Sequence, residues 1–135
     1  MNEQANISKM QDMYAAFGRG DINTILQNVT EDCDWGTDTV ISKEVPWYTI
    51  RQGRDGVGDF FSTLAREVEF RKFVPVSFAA AGDQVFVALE YEYEFRKNGR
   101  SAGTAAVHQY TLRDGNVSKF RAFEDTAAVR DAYGV

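Results

Sequence analysis

At residue 69 the hydrophobic rhythm of the chain changes, and that change limits the folds open to it. Before it, apolar residues recur every three or four positions; after it, they recur at every second position. The first spacing builds one face of a helix and the second builds one face of a strand. The chain therefore reads as helices first and a strand meander second.

In the second part, Phe70, Val74, Val76, Phe78 and Ala80 supply one inward row. After Gly82-Asp83 a longer row follows: Val85, Val87, Leu89, Tyr91, Tyr93 and Phe95, with Glu90, Glu92 and Glu94 on the opposite face. Asn98-Gly99 predicts a tight hairpin, because both central residues of such a turn take positive φ. A third strand over 101–113, a turn at Asp114-Gly115 and a fourth strand over 117–125 complete the meander. Asp125-Thr126 then caps a short helix over 127–133.

In the first part, Ile7, Met10, Tyr14 and Phe17 predict a helix over 3–18, ended by Gly18 and Gly20. Asp21 caps a short second helix with Ile22, Ile25, Leu26 and Val29 inward. DCDWGTD, residues 32–38, reads as a strand with Cys33, Trp35 and Thr37 on one face. A long connection around Pro46-Trp47-Tyr48 leads to a third helix over 53–67, with Val57, Phe60, Phe61, Leu64 and Val68 at helical spacing. Connections that long serve as lids or as pinned surface loops, and both readings stand. The expected fold is α+β over a single domain, residues 1–135: one strongly curved, mainly antiparallel sheet wrapped as a conical barrel around three N-terminal helices, with a short C-terminal helix.

Composition narrows the function. The net charge is −5 and no basic stripe is present, which argues against nucleic acid. One Cys and one His make a structural zinc site untenable, so no metal and no cofactor are expected. No run is apolar enough for a membrane span or a signal core, so a cytoplasmic protein is expected. Aromatic residues reach 13%, which suits an interior cavity for a hydrophobic small molecule.

The lone histidine, His108, sits in the third strand. A two-residue Asn98-Gly99 loop pairs Lys97 with Arg100, Leu89 with His108 and Val87 with Tyr110. That register turns His108 to the apolar face; a one-residue change would turn it outward. At the next hairpin a two-residue loop places Arg121 beside His108. A three-residue loop, 114–116, places Ala122 there, turns Phe120 and Glu124 inward and sends Lys119 and Arg121 outward. The second is preferred because it buries Phe120, and it leaves Phe123 on the outer face. An inward imidazole is either a hydrogen-bonded core group or an acid/base group near neutral pH. Asp38, at the end of the first strand, and Glu124 are its candidate partners. Trp35, Trp47, Tyr48, Phe60, Tyr91, Tyr93, Tyr110 and Phe120 are the candidate ligand-binding residues. Cys33 reads as a small core residue, and the Glu90, Glu92, Glu94 row as a solvated or dimer-facing surface paired with Arg71 or Arg96.

Four stretches, MYAAFGRGD, TEDCDW, RQGRDGVGDFF and LRDGNVSKFRAFEDTAAV, make the chain resemble the SnoaL-like branch of the nuclear-transport-factor-2-like superfamily. The resemblance implies a conical pocket between sheet and helices, and a homodimer through the outer sheet face. It is similar to ketosteroid isomerase-like members, whose base position falls near Thr37 and Asp38 and whose oxyanion-hole aspartate falls at about His108. Their helix-1 tyrosine falls near Met13, next to Tyr14. SnoaL-like polyketide cyclases imply His108 as the pocket histidine; their last-strand aspartate matches Ala122, with Glu124 two residues on. The implied activity is cofactor-independent acid/base chemistry, of isomerase or cyclase type, on a hydrophobic carbonyl compound. The alternative is a non-catalytic ligand-binding or dimerisation module of the same fold.

Overall fold

Helix α1 (Glu3–Gly18) opens the chain, capped by Asn2, whose side chain accepts from the Ala5 N–H at 2.7 Å. It buries Met10, Met13 and Ala16. The fold is seen here in a computed structural model, which describes residues 2–37, 44–103 and 105–135, with no side-chain description for Thr37. Asp38, singled out above, lies outside the described residues. Asp21 caps α2 (Ile22–Gln27) through the Thr24 N–H at 3.1 Å. Strand β1 (Val29–Thr37) follows; it begins earlier than the sequence pattern indicates and takes Val29 out of the helix. A two-residue strand β2 (Arg51–Gln52) precedes α3 (Gly53–Glu67).

The remaining strands are β3 (Val68–Ala81), β4 (Gln84–Phe95), β5 (Ser101–Ala102), β6 (Ala105–Arg113) and β7 (Asn116–Phe123). Helix α4 (Thr126–Tyr133) closes the chain, capped by Asp125. The sheet order is β2-β1-β7-β6-β4-β3, with β5 beside β4. The path runs from one edge strand to another, so the sheet is curved but unclosed. All pairings are antiparallel except β1 with β7. Bulges interrupt the β1–β7, β3–β4 and β6–β7 ladders. Each adds local twist, which bends the sheet around the helices. Among the described residues no helix is long and apolar enough to cross a membrane.

The first hairpin departs from the expected register but keeps its parity, and the second reaches the expected register through a different loop. Phe95, rather than Lys97, closes the first turn: its N–H donates to the Arg100 carbonyl at 2.8 Å. The reason is tertiary. The Arg96 N–H bonds the Glu67 carbonyl, Asn98 Nδ2 bonds the Ala132 carbonyl at 3.0 Å, and the Lys97 ammonium lies over the Tyr133 ring. These contacts hold residues 96–99 open as a longer loop. The pairing slides by two positions, so His108 faces Val87 and Tyr110 faces Val85, not Leu89 and Val87. A slide by two keeps every side chain on its face.

At the second hairpin the loop has two residues, not three: Arg113 pairs with Asn116, and both Asp114 and Gly115 take positive φ. A bulge at Ser118 then supplies the missing step, and His108 lies opposite Ala122. Phe120 is buried, and Arg121 points to the outer face. Arg121 is nevertheless only 6% exposed, paired with Asp34 at 2.9 Å.

Strand β3 overturns one expectation outright. Bulges after Phe70 and after Pro75 turn Phe73 inward and leave Val74 and Val76 outside, 45% and 61% exposed. Outward glutamates pair along this edge: Lys72 with Glu90 at 2.9 Å, and Arg71 with Glu94. Arg96 instead approaches Glu69. Cys33 is fully buried, and burial pushes its thiol up to about 12.

The segment after the undescribed residues 38–43 packs into the core. Val45, Trp47 and Tyr48 are buried, and Glu44 pairs with Arg130 of α4 at 2.8 Å. It crosses β1 at Gly36, where an added Cβ would lie 2.6 Å from the Thr49 carbonyl oxygen and 2.9 Å from the Ile50 Cα. Both obstacles are backbone. Gly36→Ala should destabilise the protein by about 1–3 kcal/mol, as overpacking does. Gly58→Ala, in α3 with only ordinary contact at 3.7 Å to Leu26, should stabilise by up to about 1 kcal/mol. Thermal unfolding of the two variants checks the opposite signs.

Candidate functional site

The concave face of the sheet and helices α1 and α3 line a cavity of about 110 Å³ that is open on one side. That is somewhat below the ~150 Å³ that holds a benzene molecule in an engineered apolar cavity, so a larger ligand extends through the open side. Its wall is almost wholly aromatic and aliphatic. Trp35 packs on Phe120, ring centres 4.3 Å apart, and on Phe60 at 5.9 Å. Trp47 packs on Tyr93 and Phe95. Two polar groups interrupt this wall, and tyrosines hold both.

The first is His108. Its Nδ1 lies 2.6 Å from the Tyr14 hydroxyl, which lies 2.8 Å from the Tyr110 hydroxyl. The three side chains converge because Tyr14 shares the α1 face with Met10 and Phe17, while His108 and Tyr110 are two apart on β6. Tyr14, Phe73, Tyr110 and Phe120 surround the imidazole ring. Burial holds its pKa down to about 3, so it is neutral at physiological pH. Burial also raises the Tyr14 and Tyr110 pKa values, and both stay protonated hydroxyls.

The second is Glu124, just past the end of β7. Tyr48 donates to its Oε1 at 2.7 Å, and Tyr91 donates to its Oε2. Burial raises its pKa, while the two tyrosine hydrogen bonds oppose that rise by favouring the carboxylate. Burial and the nearby Glu124 carboxylate raise the Tyr48, Tyr91 and Tyr93 pKa values. Tyr93 Oη and Trp35 Nε1 are sealed in without a hydrogen-bond partner among the described residues.

Of the residues singled out from sequence, His108, Glu124, Trp35, Trp47, Phe60, Tyr91, Tyr93, Tyr110 and Phe120 line the cavity. Tyr48 does not; it stands behind Glu124 and reaches the cavity only through that carboxylate. Asp38 lies outside the described residues. Sequence reasoning passed over Tyr14 as a site residue, although a hydroxyl on the apolar stripe of α1 is the signal that marks it. It also missed Phe73, because the bulge after Phe70 breaks the alternation. Among the described residues, no group of three or more His, Cys, Asp or Glu side chains could hold a metal ion.

The depressed His108 pKa has a stability consequence. Between pH 6.5 and about 3 the unfolded chain binds a proton at this site and the folded chain does not. Stability therefore rises with pH across that window. Glu124 has the opposite sign, since its raised pKa costs stability as pH rises above its usual value of 4.5. Chemical denaturation at pH 4.5 and pH 7.5 should show wild type losing more stability on acidification than His108→Gln. Equal losses would contradict a histidine kept neutral by burial.

The SnoaL-like domain family matches residues 10–120 of the chain. Comparison with curated proteins finds no match. Among solved structures, an NTF2-like protein from Burkholderia xenovorans LB400 is 25% identical, with 99% of each chain covered and a TM-score of 0.87. An NTF2-like protein of unknown function from Burkholderia pseudomallei K96243 is 24% identical over the full length of both chains, with a TM-score of 0.87. TerC, co-crystallised with polyporic acid, is 25% identical over 97% of this chain and 99% of its own, with a TM-score of 0.83. With most of its length matched, the chain belongs to the SnoaL-like domain family.

Proposed function

We propose that this cavity takes a small, largely apolar carbonyl compound, and that His108 and Glu124 are the groups that act on it. The reaction type is proton transfer without a cofactor, as in an isomerase or cyclase. The observation that carries the reading is the pair of tyrosine-held polar groups in a wall otherwise built of aromatic and aliphatic side chains. Such a wall supplies affinity, and a few placed polar groups supply orientation. The similarity to TerC, a protein co-crystallised with polyporic acid, is consistent with it.

A binding-only role is the second reading. Both carboxylate oxygens of Glu124 already accept a tyrosine hydroxyl, an arrangement that also suits a static wall group. Hydrogen–deuterium exchange separates the two. The tag-free protein is mixed with 2-indanone in deuterated buffer, and loss of the α-hydrogen signals is followed by NMR. Exchange above the buffer rate is expected, slowed roughly 10²–10⁴-fold in Glu124→Gln. Calorimetric binding of 2-indanone or polyporic acid without exchange would establish the binding-only role. Binding of neither would defeat both readings.

We also propose that a second copy of the chain covers the outer face of the sheet. Val74, Val76 and Val107 are each more than 40% exposed there. Ala88, Ala105 and Phe123 lie beside Val76 and Val107 in one shallow groove. The Lys72–Glu90 and Arg71–Glu94 pairs border this patch, giving an apolar centre with a mixed-charge rim. A patch carrying both signs can meet its own copy across a two-fold axis. Sedimentation should give a dimer for wild type and a monomer for Val76→Glu. A monomeric wild type at high concentration would contradict the proposal.

A further inference from the structure

The hydrogen bonds around His108 contain a count of protons that decides which ring nitrogen carries one. Three atoms are involved: His108 Nδ1, the Tyr14 hydroxyl and the Tyr110 hydroxyl. Tyr14 sits 2.6 Å from Nδ1 and 2.8 Å from Tyr110, and Tyr110 sits 3.5 Å from Nδ1. Tyr110 is 5% exposed, and among the described residues its hydroxyl bonds only within this group.

If Nδ1 is bare, Tyr14 donates to it and Tyr110 donates to Tyr14. Both hydroxyl protons are then used. If Nδ1 carries the proton, it donates to Tyr14, and Tyr14 donates to Tyr110. The buried Tyr110 proton then has no acceptor among the described residues, a cost that folded proteins avoid. The first arrangement places the imidazole proton on Nε2. That atom has no hydrogen-bond partner among the described residues, and it is not one of the sealed-in orphan atoms. His108 itself lines the cavity.

We infer that Tyr14 and Tyr110 are positioning residues that lock His108 in the Nε2–H tautomer, so that it meets a ligand as a hydrogen-bond donor. The consequence, which rests on the cavity being a substrate site, is a division of roles. His108 cannot accept a proton at Nε2, and its Nδ1 is occupied. The base is then Glu124. In the exchange reaction the α C–H bond breaks, its proton forms an O–H bond on the Glu124 carboxylate, and the electron pair moves through the carbon chain onto the carbonyl oxygen. The Nε2–H hydrogen bond stabilises that enolate oxygen, as preorganised donors do. Return of a proton or deuteron from Glu124 to carbon restores the ketone. The substrate class follows: a ketone whose oxygen reaches His108 while its acidic C–H faces Glu124.

The test uses the fact that the chain has one histidine. Long-range proton–nitrogen NMR of the ¹⁵N-labelled, tag-free protein at pH 7 reports which ring nitrogen is protonated. The expected result is a protonated Nε2 and a bare, hydrogen-bonded Nδ1. In Tyr14→Phe the Nδ1 signal should move toward that of an unbonded nitrogen. A protonated Nδ1 in wild type would overturn the inference, as would an Nδ1 signal unmoved by Tyr14→Phe. The wild-type result stands even if the variant fails to fold. It is also independent of the 2-indanone experiment. A wrong tautomer with α-exchange intact defeats only the role assignment, whereas a correct tautomer with no ligand bound defeats only the substrate reading.

Discussion

Tyr14 couples the helical layer to the sheet in the wall of the cavity. Its ring packs against Phe73 and Phe78 on β3, and its hydroxyl ties His108 and Tyr110 on β6. Without such a partner, a buried imidazole nitrogen would be an unpaired polar group in an aromatic wall, with the cost that entails. The interaction therefore serves stability and site geometry together. It lets the sheet carry a polar group on its concave face, and it fixes the direction in which that group presents its hydrogen.

Glu124 repeats the same physical solution at another part of the wall. Tyrosines, rather than a cation, hold the carboxylate. Hydroxyl donors favour the ionised form without neutralising it, so the site keeps a proton acceptor that an arginine partner would have weakened. The supporting tyrosines come from distant parts of the chain. Tyr91 stands on the inward row of β4, and Tyr48 is delivered by the segment that crosses β1 at Gly36. The close approach of that backbone explains why a glycine occupies the strand there.

The sequence pattern made the layer order, the strand count to within two short pieces, and the caps at Asp21 and Asp125 legible, because each follows from local periodicity or local hydrogen bonding. The face of His108 was legible for a narrower reason. At the first hairpin the pairing slides by two residues, and at the second the expected pairing of His108 with Ala122 forms through a shorter loop, so both keep the parity that orients a side chain. At the first turn, contacts from α3 and α4 lengthened the loop by two residues. At the second, a bulge at Ser118 compensated for a shorter loop. The contacts that lengthen the first loop come from helices distant in sequence, so local rules could not find them. The same limit hid the outward Val74 and Val76, whose strand is reset twice by bulges. Tyr14 went unrecognised as a site residue because its role depends on a histidine far along the chain.

The most direct test of the account is a crystal structure of the protein with 2-indanone bound. The ligand is expected against Trp35, Phe120 and Tyr91, with its carbonyl oxygen about 2.9 Å from His108 Nε2, a normal N–H···O distance, and its α-carbon toward Glu124. A ligand seated outside this cavity, or inside it with the carbonyl turned away from His108, would contradict it.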